Sequence, residues 1–153
     1  MYAINGRLLM MVGVLVLAGY SKSAQAQLAV GTWIPKSGQF VGQITMKVEM
    51  CCGNGRRISY FIKSNPAATM IIESALDGSE VPVLVGGKPS DQTMAIKRID
   101  SRHTLTVIKM DAKAFGTSRA ELSAAGNMLT VENTTAAYAD QKPTKKTEIW
   151  VKQ

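Results

Sequence analysis

Adjacent cysteines, Cys51-Cys52, are the most unusual chemical feature of this 153-residue chain. In an oxidising compartment two cysteines normally pair. Neighbours on a strand point to opposite faces, and a ring closed between them departs from ordinary disulfide geometry. Three readings compete. One cysteine packs as a small apolar residue at a strand end while the other is exposed. The two form a strained vicinal bond, or bond between molecules. Or they serve metal or redox chemistry. A structural metal site takes about four ligands, whereas the chain offers one histidine, His103, and no C-x-x-C.

Other chemistries have little to work with. A cysteine nucleophile would need His103 as its base, and no motif brings them together. Asp77, Asp100, Asp111 and Asp140 all fall in turn-like segments, where an aspartate bonds nearby amides. No spacing marks a catalytic carboxylate pair. Gly53-Asn54-Gly55 and Gly86-Gly87 read as turns, not as phosphate cradles. Met46, Met50, Met70, Met94, Met110 and Met128 fit core packing, or a flexible apolar interior for a hydrophobic ligand. They do not cluster as thioether copper ligands. No catalytic residue, metal or cofactor is assigned.

The elements that would position these residues read as short strands. Ile44, Met46, Val48 and Met50 alternate with Thr45, Lys47 and Glu49, the period of a half-buried strand. Cys52-Gly53-Asn54-Gly55 turns the chain into Ile58, Tyr60 and Ile62. Asn65-Pro66 interrupts; Thr69 to Leu76 follows, then an Asp77-Gly78 hairpin and Glu80 to Val85. Pro82 within that strand implies an edge or a bulge. Gly86-Gly87-Lys88-Pro89 forms a loop before Thr93 to Ile99 and His103 to Met110. Ala114 to Ser123 alternates as a strand, although its alanines also suit a helix. Met128 to Thr134 comes next, then a polar loop or ragged hairpin over Thr135 to Lys146, and a closing strand from Thr147 to Lys152. Eight to ten strands joined by short turns predict an all-β, up-and-down antiparallel barrel; a two-sheet sandwich is the alternative.

The first 26 residues read as a helical signal peptide. Arg7 supplies a positive start, Leu8 to Ala18 an apolar run, and Ala24-Gln25-Ala26 an A-x-A cleavage site. The run is short of the roughly 20 apolar residues that span a bilayer. Leu17-Ala18-Gly19-Tyr20 resembles a lipoprotein box with tyrosine in place of the lipidated cysteine, so no acyl anchor is expected. The mature domain, residues 27–153, is therefore expected to be exported, periplasmic or secreted, with no stable membrane anchor. Two of the 18 basic residues, Arg7 and Lys22, fall in the leader, with none of the 11 acidic ones, which leaves a net charge of +5. Those basic residues are dispersed, without the concentrated face and interleaved aromatics of a nucleic-acid binder. A domain of this length buries roughly two-thirds of its unfolded surface and needs no disulfide to hold it.

The run Lys97-Arg98-Ile99-Asp100, then Gly116-Thr117-Ser118-Arg119, Ser123 through Val131 and the final Trp150-Val151-Lys152-Gln153 resembles a group of small secreted, uncharacterised bacterial proteins with a lipocalin-like barrel. Their mature domains open near a Gly-Thr-Trp, as Gly31-Thr32-Trp33 does here. The likeness covers most of the mature chain, most strongly Gly78 to Gln153. It implies that Trp33 closes the barrel's base. Only Pro35 to Gly42 separates the first two strands, so a helical lid does not fit, and the adjacent cysteines have no counterpart in the group. The resulting expectation is a barrel that binds a small apolar molecule, with Met46, Val48, Tyr60, Ile96, Val107 and Val131 facing its interior. An envelope-associated structural or protein-interaction module with a filled barrel is the second reading, and an enzyme the third.

Overall fold

The computed structural model describes residues 30–136 and 142–153. The expected leader with its cleavage site, and Asp140, lie outside the described residues.

Ten strands follow one another: β1 (Gly31–Ser37), β2 (Ile44–Cys51), β3 (Gly55–Ile62), β4 (Met70–Ser74), β5 (Asp77–Val85), β6 (Lys88–Arg98), β7 (His103–Met110), β8 (Lys113–Leu122), β9 (Met128–Thr135) and β10 (Thr144–Lys152). Among the described residues a single 3-10 turn, Pro66–Ala68, interrupts the series. Each strand pairs antiparallel with the next, and β1 pairs with β10, so one sheet closes into an up-and-down barrel. The sandwich alternative is thereby set aside, as is a helix over Ala114 to Ala125.

Alternation explains how the sheet presents its two faces. On β2, Met46 and Val48 point inward and are buried, while Lys47 points out and pairs with Glu49 at 2.8 Å. Across the β2–β3 ladder, Met46 faces Tyr60 and Val48 faces Ile58, so one inner surface continues from strand to strand. Trp33, Ile72, Val83, Ile96, Leu122, Leu129 and Trp150 extend it around the barrel. The outer face carries exposed cross-strand pairs such as Arg57 with Glu73 and Lys109 with Glu80. Each such pair contributes at most about 1 kcal/mol, so the inner apolar surface carries most of the stability.

Curvature comes from irregular pairing. Register shifts fall between Pro35 and Ser37 on β1, twice along β5, and between Ile108 and Lys109. Bulges of this kind bend strands and help a sheet close. One of the β5 shifts lies between Pro82 and Leu84. Pro82 therefore belongs to a bulged strand, and in a closed sheet no edge is needed to accommodate it.

Three turn boundaries differ from the sequence expectation. Asp77-Gly78 is not the hairpin apex. The chain turns at Ala75-Leu76, with Leu76 at φ 61°, and Asp77 and Gly78 open β5. Leu76 is buried, and its amide donates to Ser74 Oγ at 3.0 Å. Those gains offset the roughly 1–2 kcal/mol cost of a left-handed leucine. Asp77 still behaves as a turn residue, accepting the Ser79 amide at 2.9 Å. Second, the loop at Gly86 to Pro89 contracts to Gly86-Gly87, both at positive φ, and Lys88 and Pro89 already belong to β6. Third, the closing strand begins at Thr144, ahead of the expected Thr147, and Thr144 pairs with Thr135. Residues 137–141 are outside the described residues.

Where β3 leaves its turn, the backbones of β3 and β4 approach so closely that a Cβ on Gly55 would lie 2.2 Å from the Ser74 carbonyl oxygen. Gly55→Ala is expected to destabilise the fold by about 1–3 kcal/mol, the usual range for overpacking. A lower urea midpoint at unchanged m-value would show it.

Candidate functional site

The strand directions define two ends. One end carries the turns at residues 52–54, 75–76, 99–102 and 123–127 and the outer ends of β1 and β10. The other carries the connections at residues 38–43, 63–69, 86–87 and 111–112. The burial of mid-barrel Val48, Ile72 and Val83 continues to the first end, where Trp33, Arg56, Ser74, Leu76, Leu122 and Leu129 are all buried. Toward the second end, inward positions such as Ile44, Met70, Met94, Ile108 and Thr135 remain partly exposed. The interior is thus filled at one end and reached by solvent toward the other.

The wall is also uneven around its circumference. From β1 to β5 it is mainly apolar, with Arg56 and Ser74 as polar members near the filled end. On β7 to β9 the register places Thr104, Thr106, Ser118, Ala120, Val131 and Asn133 on the inner face. Most of these are small or polar, and all are partly exposed.

The six interior candidates separate accordingly. Met46, Val48 and Ile96 face inward but are buried in the packed core. Tyr60 and Val131 face inward, pack against that core and are only partly buried, so they border the less filled region. Val107 is a correction: it lies opposite Ala95 and Thr117 on the outer face and is exposed. Its neighbour Thr106 takes the inner position opposite Ile96. The period of two holds on β7, but the apolar residues Leu105 and Val107 occupy the outer face and the threonines the inner one. Trp33, expected at the barrel's base, is 1% exposed and sits opposite Met46 on β2 and Lys152 on β10, toward the filled end.

Cys51 and Cys52 are joined to each other by a disulfide. This corrects the reading in which one of them packs as a separate apolar residue. Cys51 is partly buried, while Cys52 is exposed and sits at φ 54° in the turn after β2. With both sulfurs bonded, neither is a nucleophile. His103 is engaged elsewhere: its Nδ1 lies 2.8 Å from Asp100, and its Nε2 faces Glu121 at 3.8 Å. Asp100 also accepts the amide of Arg102, and these bonds hold its carboxyl below the usual range, the amide's share being the larger. The group stabilises the β6–β7 turn.

Sequence reasoning missed the polar residues of the interior. At the filled end, Arg56 donates from Nη1 to the carbonyls of Gly55 (2.5 Å) and Asn54 (3.2 Å). Burial, and then the nearby charge of Arg98, pull its pKa below the ordinary arginine value. Arg98 donates to the same Asn54 carbonyl at 3.5 Å. The turn that follows the disulfide therefore supplies a carbonyl acceptor to both guanidinium groups.

Higher in the barrel lies Glu148, inward-facing on β10 opposite Val131 and 6% exposed. Its carboxylate accepts the Trp150 indole N–H at 3.4 Å. The Trp150 ring meets Tyr60 edge-on, with centroids 6.2 Å apart. Desolvation raises the Glu148 pKa above the usual carboxylate range, against opposing effects of the Trp150 bond and the charge of Lys146. Burial, and then the charge of Glu148, push the Tyr60 phenol up to about 12. A signal existed in the sequence. Thr147-Glu148-Ile149-Trp150 alternates, so whatever face takes Trp150 inward also takes Glu148.

No protein-family model matches the chain, and no curated protein is significantly similar to it.

Because the folded-state pKa of Glu148 is raised, the folded protein holds this proton more tightly than the unfolded chain does. Its contribution to stability therefore declines as pH rises from the ordinary carboxylate range through the folded value. Glu148→Gln keeps the shape and an acceptor for Trp150 but removes the charge. It is expected to melt above the parent protein at pH 7, with the difference closing by about pH 3, below the ordinary carboxylate range. Thermal denaturation across that range would check this.

Proposed function

We propose that this protein is an exported, lipocalin-like barrel that binds a small, largely apolar molecule through the end bearing the connections at residues 38–43, 63–69, 86–87 and 111–112. The carrying observation is the asymmetry of burial. Inward-facing Ile44, Met70, Met94 and Val131 stay partly exposed, while Trp33, Leu76, Leu122 and Leu129 fill the opposite end. Small-molecule sites are concave and mostly apolar, with a few convergent polar groups. Tyr60, Asn133 and Glu148 would be those groups here. Export rests on the three-part leader. It predicts a mature chain beginning at Gln27, which the intact mass of the protein recovered from the cell envelope or medium would report. The likeness to small secreted bacterial proteins rests on the strand and turn motifs quoted above.

The filled-module reading draws its support from the full burial of Val48, Ile72 and Val83. Titration with an apolar, polarity-sensitive fluorophore separates the two. A carrier gives saturable one-to-one binding, and native mass spectrometry shows the corresponding complex; a filled module shows no saturation. Ala120 on β8 packs against the core from the inner wall, and Ala120→Phe adds bulk there. This variant is expected to weaken dye binding about tenfold or more, roughly 1.4 kcal/mol, with the barrel's circular dichroism retained.

A further inference from the structure

The Glu148 carboxylate contributes a feature that an apolar pocket alone does not require. A carboxylate has about four acceptor sites. Among the described residues this one accepts a single hydrogen bond, from Trp150, and that bond is long at 3.4 Å. Lys146, the cation whose charge acts on it, donates instead to Gln39 Oε1 at 3.0 Å, and no ion pair joins Glu148 to any described lysine, arginine or histidine. The negative charge is nonetheless taken out of water, at 6% exposure. Two aromatic rings adjoin it: Trp150 through its indole N–H, and Tyr60 edge-on to Trp150. Gly38 approaches from the connection after β1, so closely that a Cβ there would lie 2.8 Å from Glu148 Cγ. The carboxylate therefore lies against the inner wall, under the connection that borders the less filled end.

Burying an anion is costly unless a cation or several donors accompany it. A partner that supplied both would be a protonated amine, which donates up to three hydrogen bonds. The rest of the ligand would lie along Met70, Met94 and Val131, which calls for an apolar tail. A fatty carboxylate would meet repulsion at Glu148, and an alcohol would contribute a donor without a charge.

We propose that the barrel selects apolar molecules carrying a protonated amine, with Glu148 as the anionic partner, held by the Trp150 indole N–H. This rests on the reading of the barrel as a small-molecule binder, and the test keeps the two apart. Decylamine, decanol and decanoate share one chain length and differ in head group. Isothermal titration at pH 7, below their aggregation concentrations, is expected to rank the amine first, at least about tenfold tighter than decanol, and decanoate last. Glu148→Gln should bring the amine to within about twofold of decanol, and Glu148→Asp should keep part of the amine's advantage. If the parent protein binds all three alike, or the advantage survives in Glu148→Gln, amine selection is wrong and the small-molecule reading stands. If none of the three binds and the fluorophore also fails, both fall.

Discussion

Everything in this molecule depends on the pairing of its first and last strands. Trp33 opposite Lys152, Ile34 opposite Val151 and Pro35 opposite Trp150 turn a ten-strand meander into a closed surface. Without that seam, β1 and β10 would each present a row of unpaired amides and carbonyls to solvent. The seam also gives the sheet an inside. Pro35 and Trp150 meet across it on the inner face, and from Trp150 the ladder runs on to Leu129 and Leu122. Burial of Glu148 is a consequence of the same closure, since its face of β10 has an interior to look into only while β1 is attached.

Much of this was legible in the residues. Alternation along β2, β3 and β9 gave both strand and facing, and Asn54-Gly55, Gly86-Gly87 and Ala124 to Asn127 marked turns close to where they occur. What could not be read was anything set by competition across the fold. On β7 the threonines and the apolar residues alternate equally well either way, and only pairing with β6 and β8 decides that Thr106 is inside and Val107 outside. The β4–β5 turn moved because burying Leu76 outweighed the local preference of Asp77-Gly78. Search by residue type passed over Arg56 and Glu148, since charged side chains are assigned to surfaces by default. Strand parity would have placed Glu148 beside Trp150.

The two ends of the barrel handle buried charge differently. At the filled end, Arg56 and Arg98 share the Asn54 carbonyl oxygen in the turn that follows the Cys51–Cys52 bond, and Arg56 adds that of Gly55, so backbone carbonyls meet their charge. That bond joins sequence neighbours and encloses no chain, so it removes little freedom from the unfolded state. Its structural effect is local, on the shape of one turn. In the upper interior, Glu148 has a single indole donor among the described residues and lies beside the small and polar residues of β7 to β9.

The ladders are not equally long. β2 and β3 are matched over eight residue pairs, whereas β4 and β5 are matched over two, Met70 with Val85 and Ile71 with Leu84, and the ladder ends short of Pro82. A closed cylinder breathes where its staves are least joined. Amide protons along β4 and β5 will therefore trade with solvent ahead of those on β2 and β3, and the wall has a place to part sideways, without either rim having to open.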